Sequence, residues 1–172
     1  AVIIKSSTLK LVLSMCKNLK ILDLPELEEE ATDEGFLKNL PSLDLDELNC
    51  FNDSGRFSQL LSASSTKSCL ISGVKESEVV FIQDFLKTQK KLENLEMVVI
   101  GDDDEEINVD FFDTNALNKV DFRLKSLNMC AFRMDNTQNF FEFINNHADT
   151  LTHVELFSLS SSEILNGLKN VK

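Results

Sequence analysis

Leucine and other apolar residues recur along this chain with the spacing LxxLxL, in which polar residues separate the apolar ones. A short strand alternates its side chains, so the second and third apolar positions should point into a core while the residue between them points outward. The pattern therefore predicts a series of similar short strands. Five clear copies begin at Leu19, Leu40, Leu92, Leu124 and Leu151, and a degenerate copy begins at Thr66.

The distance between copies indicates a repeat architecture. Their first positions lie 21 to 32 residues apart, close to the roughly 20 to 29 residues of leucine-rich repeats. Helical periodicity lies between some of the strands, most clearly over residues 76–92, 136–151 and 7–16. Strands that alternate with helices predict an α/β fold. We expect an irregular leucine-rich-repeat solenoid of about six repeats, with a concave parallel β-sheet and convex helices.

The whole chain, residues 1–172, is expected to form a single domain. A further copy of the spacing starts at Leu168, so we expect this domain to be part of a longer repeat array. The apolar runs are far shorter than the roughly 20 residues that span a bilayer. The N-terminus also lacks the cationic start and long apolar stretch of a secretory signal. A cytoplasmic location, or a nuclear one, is therefore expected.

One segment carries a more specific pattern. Residues 32–40 have the sequence TDEGFLKNL, which resembles the TDxGLxxL signature of the cysteine-containing leucine-rich repeats of F-box proteins. In that family the repeats recruit a substrate to a ubiquitin ligase. The architecture resembles that family over the whole chain, whereas the signature occurs in one repeat only. In that repeat, Leu27 lies where the family usually has Cys or Asn. It implies a substrate-recognition portion, with the ligase adaptor bound through a segment outside this chain.

The charge and the cysteines restrict the partners. Twenty-nine acidic and seventeen basic residues give a formal net charge of −12. This charge repels phosphate backbones and anionic headgroups, so we expect neither nucleic acid nor membrane, and instead a protein with a basic or mixed surface. Cys16, Cys50, Cys69 and Cys130 are far apart and form no CxxC pair, which argues against a zinc site. Buried, reduced thiols are expected.

Residues suited to catalysis are few. His147 falls at the end of a predicted helix, where a positive charge suits the helix dipole, so a capping or surface role is expected. His153 should face outward from a strand, and neither histidine lies near a recognisable nucleophile. The acidic run at residues 101–106 lacks the spacing of an EF-hand loop and is expected to be solvated. The sequence therefore predicts a protein that is not an enzyme and has neither a metal nor a cofactor.

The outward strand positions are the predicted binding surface, because they face the concave side in this architecture. Four of the six residues between the second and third apolar positions are carboxylates, which favours a basic partner, although exposed strand positions are often polar without any such role. The predicted contact residues, including flanking outward positions, are Asp23, Asp44, Asn94, Glu96, Val98, Asn128, His153, Glu155 and Phe157, with Ile21 and Leu70 beside them.

Two functions are consistent with this surface. The first is substrate recognition in an F-box-type ubiquitin ligase receptor. The second is a general scaffold or inhibitor that covers a basic protein outside ubiquitin ligation. An F-box upstream of Ala1 would favour the first, and its absence from the full-length protein would favour the second.

Overall fold

The structure, a computed structural model, describes residues 6–24, 42–51, 64–99, 111–112, 115–132 and 137–157. Six strands form one sheet in which the spatial order follows the chain order, and every neighbouring pair is parallel. The predicted α/β fold with neighbouring parallel strands is therefore confirmed. The strands are β1 Ile21–Leu24, β2 Leu43–Phe51, β3 Ser64–Ser72, β4 Asn94–Val98, β5 Ser126–Cys130 and β6 His153–Phe157.

The helices lie where the periodicity predicts them; the first has the predicted length of ten residues, and the other two are shorter than predicted. They are α1 Ser6–Met15, α2 Val79–Thr88 and α3 Thr137–Asn146, with single 3-10 turns at Glu76–Glu78 and Asn115–Leu117. The helix α2 ends before Gln89, whose backbone is extended. The buried side chain of Gln89 accepts the N–H of Thr66 at 3.1 Å and donates to the carbonyl of Ser64 at 2.9 Å. These two hydrogen bonds therefore link the end of α2 to β3.

The register of the sheet places one repeat differently from the prediction. Leu22 of β1 is paired with Leu48 of β2, and Leu48 is paired with Cys69 of β3. The second copy therefore begins at Leu45, five residues later than expected. The reason is that β2 has nine residues and β1 has four. The longer strand includes residues of two copies of the spacing, which overlap at Leu45. The pairing of β2 with β1 and β3 shows that the later copy is the one aligned with the neighbouring repeats.

Two rows of inward side chains form the core beneath the sheet. The residues from β1 to β5 are buried, and those of β6 are partly exposed. The predicted core position Leu156 therefore packs against the core without being fully covered. The first row is Leu22, Leu48, Cys69, Leu95, Leu127 and Val154, and the second is Leu24, Cys50, Ile71, Met97, Met129 and Leu156.

An aromatic cluster closes the core between the later strands and α3. The ring of Phe112 lies 5.2 Å from that of Phe140 and 5.4 Å from that of Phe143. Phe111 contacts Phe132 at 5.7 Å in an edge-to-face arrangement, the geometry that aromatic pairs prefer. All five rings are buried. The phenylalanines therefore anchor α3 against the inward side of the sheet.

The cysteines differ in their surroundings. Cys50 and Cys69 are buried on neighbouring strands, and burial raises the pKa of Cys50 to about 12. Burial, and then the nearby Cys50, raise the pKa of Cys69. Cys130 is half-buried, Cys16 is exposed, and all four thiols are free. The prediction of buried thiols is confirmed for Cys50 and Cys69 and wrong for Cys16, which follows the end of α1 and is exposed.

Candidate functional site

A recurring backbone contact aligns the strands at the edge where they begin. The carbonyl of Lys20 accepts the N–H of Asp46 at 2.7 Å and that of Glu47 at 3.1 Å. The carbonyls of Glu93 and Lys125 each accept the corresponding two N–H groups of the next strand segment. Because three pairs of neighbouring strands share this contact, their outward side chains at equal positions stand side by side across the sheet.

Two rows of outward side chains result, and we term the surface that they form the outward face. Neighbouring strands in a sheet lie about 4.8 Å apart, so adjacent members of a row are close enough to contact each other. The first row is Ile21, Glu47, Ser68, Asn94, Ser126 and His153, and the second is Asp23, Asn49, Leu70, Glu96, Asn128 and Glu155.

A groove of about 410 Å³ crosses the outward face from β2 to β6. Its depth comes from the short side chains in the middle of the first row, Ser68 and Ser126, with Asn94 between them. The longer side chains of Glu47 on β2 and His153 on β6 flank these three residues in that row. The groove is therefore a consequence of small residues on the three central strands.

Asp44 lies in neither row, so its assignment to the same repeat position as Asp23 is wrong, whereas its role as a contact residue stays a prediction. The register aligns Asn49 with Asp23 and places Asp44 opposite Ser65, nearer the start of β2. The Asp44 carboxylate forms ion pairs with Lys91 and, at 3.2 Å, with Lys20. The hydrogen bonds from these two lysines lower the pKa of Asp44.

At one end of the outward face, two carboxylates share one amide. The Nδ2 atom of Asn49 donates to Oδ1 of Asp23 at 2.6 Å and to Oε1 of Glu47 at 2.8 Å. A neutral amide between two carboxylates reduces the repulsion that a continuous acidic row would have. Both acidic side chains are therefore held in place by a neighbour on the sheet.

At the other end, Glu155 is held in a similar way. Its Oε2 atom accepts a hydrogen bond from Nδ2 of Asn128 at 3.4 Å, and its Oε1 atom lies 3.2 Å from Nε2 of His153. The Oδ1 atom of Asn128 is buried, and within the described part of the chain it has no hydrogen-bond partner. Buried acceptors are seldom left in this state.

Between these two ends lies Glu96, which differs from the other carboxylates. It is exposed in the second row, with Leu70 on one side and Asn128 on the other. Among the residues that the structure describes, none donates a hydrogen bond to Glu96 or pairs with its charge. Among the described residues, Glu96 is therefore the groove carboxylate whose acceptor capacity is wholly unused.

An apolar rim borders the outward face where the strands end. Phe51 is 41% exposed and Phe157 is 52% exposed, and Val98 between them is half-buried. These residues align across the sheet at the position two residues after the second row. All the predicted contact residues except Asp44 therefore lie together, either on the outward face or on this rim.

His147 is not the exposed cation expected at a helix end. It is buried, stacked on Phe122 at 5.3 Å and in edge contact with Phe143 at 4.7 Å. Its Nδ1 atom accepts the N–H of Leu124 at 3.4 Å. Burial, and then the charge of Arg123, lower the pKa of His147 to about 4. The imidazole is therefore neutral and part of the core, because the helix ends against the aromatic cluster.

The groove contains residues that the sequence pattern did not identify, above all Glu47 and Asn49. The available signal was the alternative spacing Leu45, Leu48 and Cys50, in which cysteine takes a leucine position. The predictions for residues 32–40 and for the acidic run at 101–106 lie outside the described residues.

Three further findings bear on the function. In the described part of the chain, no group of three or more His, Cys, Asp or Glu side chains is placed to hold a metal ion. None of the helices described is both long and apolar enough to cross a membrane. Comparisons with protein-family models, with curated proteins and with solved structures gave no significant match.

Proposed function

We propose that the chain is a leucine-rich-repeat solenoid whose outward face is concave and binds another protein. The sequential order of the parallel strands and the same backbone contact at successive strand starts support a repeated coil. Both α2 and α3 bury side chains in the core, which lies on the inward side of the sheet. Within the described residues, the outward face is thus the side opposite the helices.

The groove is the observation that carries this proposal. The groove is lined by the carboxylates of Glu47, Glu96 and Glu155, with Asp23 beside it on β1, and the rim carries exposed phenylalanines. Charged side chains beside exposed aromatic ones suit a protein interface, in which aromatic residues contribute contact area and charges select the partner. A partner with a basic or mixed surface fits best. The net charge of −12 disfavours nucleic acid and anionic membranes.

We further infer that the partner is a substrate of an F-box-type ubiquitin ligase for which this chain is the recognition portion. The support is the resemblance of residues 32–40 to the signature of the F-box repeats. The second candidate is a scaffold or inhibitor that covers a basic protein, and the acidic groove supports it equally. A cytoplasmic or nuclear location suits both candidates.

Photo-cross-linking from the rim tests whether the outward face meets a partner. Replacing Phe157 with p-benzoylphenylalanine in the full chain should give a specific cross-link to a protein in cells, because this ring lies beside the groove. Phe81 of α2 is the matched control, since it has the same exposure of 52% on the helix side. Mass spectrometry of the adducts identifies the partner.

Equal cross-linking from both positions, or cross-linking from Phe81 alone, would contradict the proposal. The half-life of the cross-linked partner then distinguishes the two candidate functions. Depletion of this chain should lengthen the half-life of the captured protein if the chain is a ligase receptor, and should leave that half-life unchanged if it is a scaffold.

A further inference from the structure

Three neighbouring residues of the second row form a distinct part of the groove. They are Leu70 on β3, Glu96 on β4 and Asn128 on β5, and the register places them side by side. We infer that these three residues are a subsite for one arginine side chain of the partner protein. The inference rests on the proposed protein-binding function and names the chemistry that the groove recognises.

The charge for this subsite comes from Glu96. The other groove carboxylates already have hydrogen-bond donors, since Glu47 accepts from Asn49 and Glu155 accepts from Asn128. Glu96 is exposed and has no such donor among the described residues. A guanidinium group binds a carboxylate through two parallel N–H···O bonds, which makes arginine the best complement for a free carboxylate.

Asn128 supplies a second acceptor beside the first. Its Nδ2 atom is used by Glu155, whereas its Oδ1 atom is buried and has no partner in the described part of the chain. A guanidinium has five N–H donors, more than one carboxylate uses. Because this oxygen is buried, the Asn128 amide has to rotate toward the groove before a remaining donor reaches it. A lysine ammonium would match the charge but not the planar arrangement of two adjacent acceptor groups.

The remaining parts of the subsite fit the stem of an arginine. Leu70 is half-buried beside Glu96 and interrupts an otherwise polar row. Arginine packs its methylene groups along apolar surface while its charged end bonds to polar groups. The short side chains of Ser68 and Ser126, with Asn94 between them, leave the space that such a stem needs. Leu70 therefore provides the apolar surface on which the methylene groups of the arginine pack.

A titration with small probes tests the subsite. The probe is N-acetyl-arginine methylamide, added to the isotope-labelled full chain and followed by the NMR signals of the Asn128 side chain and of β3 to β5. A saturable shift is expected, with weaker binding of the lysine analogue and no binding of the neutral citrulline analogue. Glu96→Gln should weaken binding about 10-fold, as the loss of a charge-assisted hydrogen bond does. Asn128→Leu should weaken it several-fold.

The matched control is Glu47→Gln, which removes a groove carboxylate held by Asn49 and should change the affinity less than twofold. Equal binding of the arginine and lysine analogues, equal loss from the two glutamate variants, or no saturable shift would overturn the subsite. These results are distinguishable from failure of the proposed function. A partner cross-linked from Phe157 without arginine binding disproves the subsite alone, and arginine binding without such a partner disproves the function.

Discussion

Replacing Leu95 with alanine should lower the free energy of unfolding by about 2 to 5 kcal/mol. Leu95 is 1% exposed in the middle of β4, with Cys69 and Leu127 beside it in the same inward row. Removing its branched end leaves a cavity, because neighbours on both sides are fixed by the sheet and cannot move in to fill it. Chemical denaturation of the purified chain measures the loss.

The control for this prediction is Ile21→Ala. Ile21 is an apolar strand residue of similar size, but it is 56% exposed on the outward face. Its truncation is expected to cost less than about 1 kcal/mol, as for most surface substitutions. A loss below about 1 kcal/mol for Leu95→Ala as well would mean that this row is not the core.

The stability of the protein should also fall as the pH is lowered below 6.5, because His147 is buried in its neutral form. Its pKa in the folded chain is about 4, whereas the ordinary pKa of a histidine side chain is 6.5. Between these two pH values the unfolded chain takes up a proton that the folded chain does not. The stability that His147 contributes is therefore fully present above pH 6.5 and is lost as the pH falls toward 4. The expected loss between pH 7.5 and pH 5 is about 2 kcal/mol.

Denaturation curves at several pH values test this expectation in the wild type and in His147→Phe. The phenylalanine variant keeps an aromatic ring between Phe122 and Phe143 and has no group to protonate, so most of the pH dependence above pH 5 should disappear. His153→Gln removes the exposed histidine and should keep the wild-type dependence. An unchanged slope in His147→Phe would show that other groups cause the acid sensitivity.

The positions of the strands could be predicted from the sequence because the second and third apolar positions lie two residues apart, as successive inward side chains of a strand do. Leu95 and Met97 illustrate this, since both are buried while Glu96 between them is exposed. The frame of the second repeat could not be predicted in the same way. Two copies of the spacing, beginning at Leu40 and at Leu45, overlap in the sequence, and only the pairing of Leu48 with Leu22 and Cys69 distinguishes them.

The site was predictable in part for the same reason. The repeat spacing predicts Glu96 and Glu155 on the outward face, whereas it does not predict Asn49 there and it assigns Asp44 to the wrong repeat position. The role of His147 could not be derived from local pattern, because the rings that enclose it come from separate segments of the chain. Contacts between distant segments decide both cases, and a spacing rule contains no information about them.

The central claim is that the carboxylates of the outward face guide a basic partner to the groove. With a cross-linked partner identified, the direct measurement is its association rate at two salt concentrations. The variant is Glu96→Gln with Glu155→Gln, and the control is Asp84→Asn with Glu142→Gln, which removes the same charge from the exposed sides of α2 and α3. Exposed charges act over about 10 Å at 0.1 M salt, so position should matter as well as net charge.

The account predicts that the groove variant associates several-fold more slowly than the wild type at low salt, that the difference narrows at high salt, and that the control variant changes the rate much less. Equal slowing by both variants would mean that only net charge counts. An unchanged rate in the groove variant would contradict the account and exclude the outward face as the binding site.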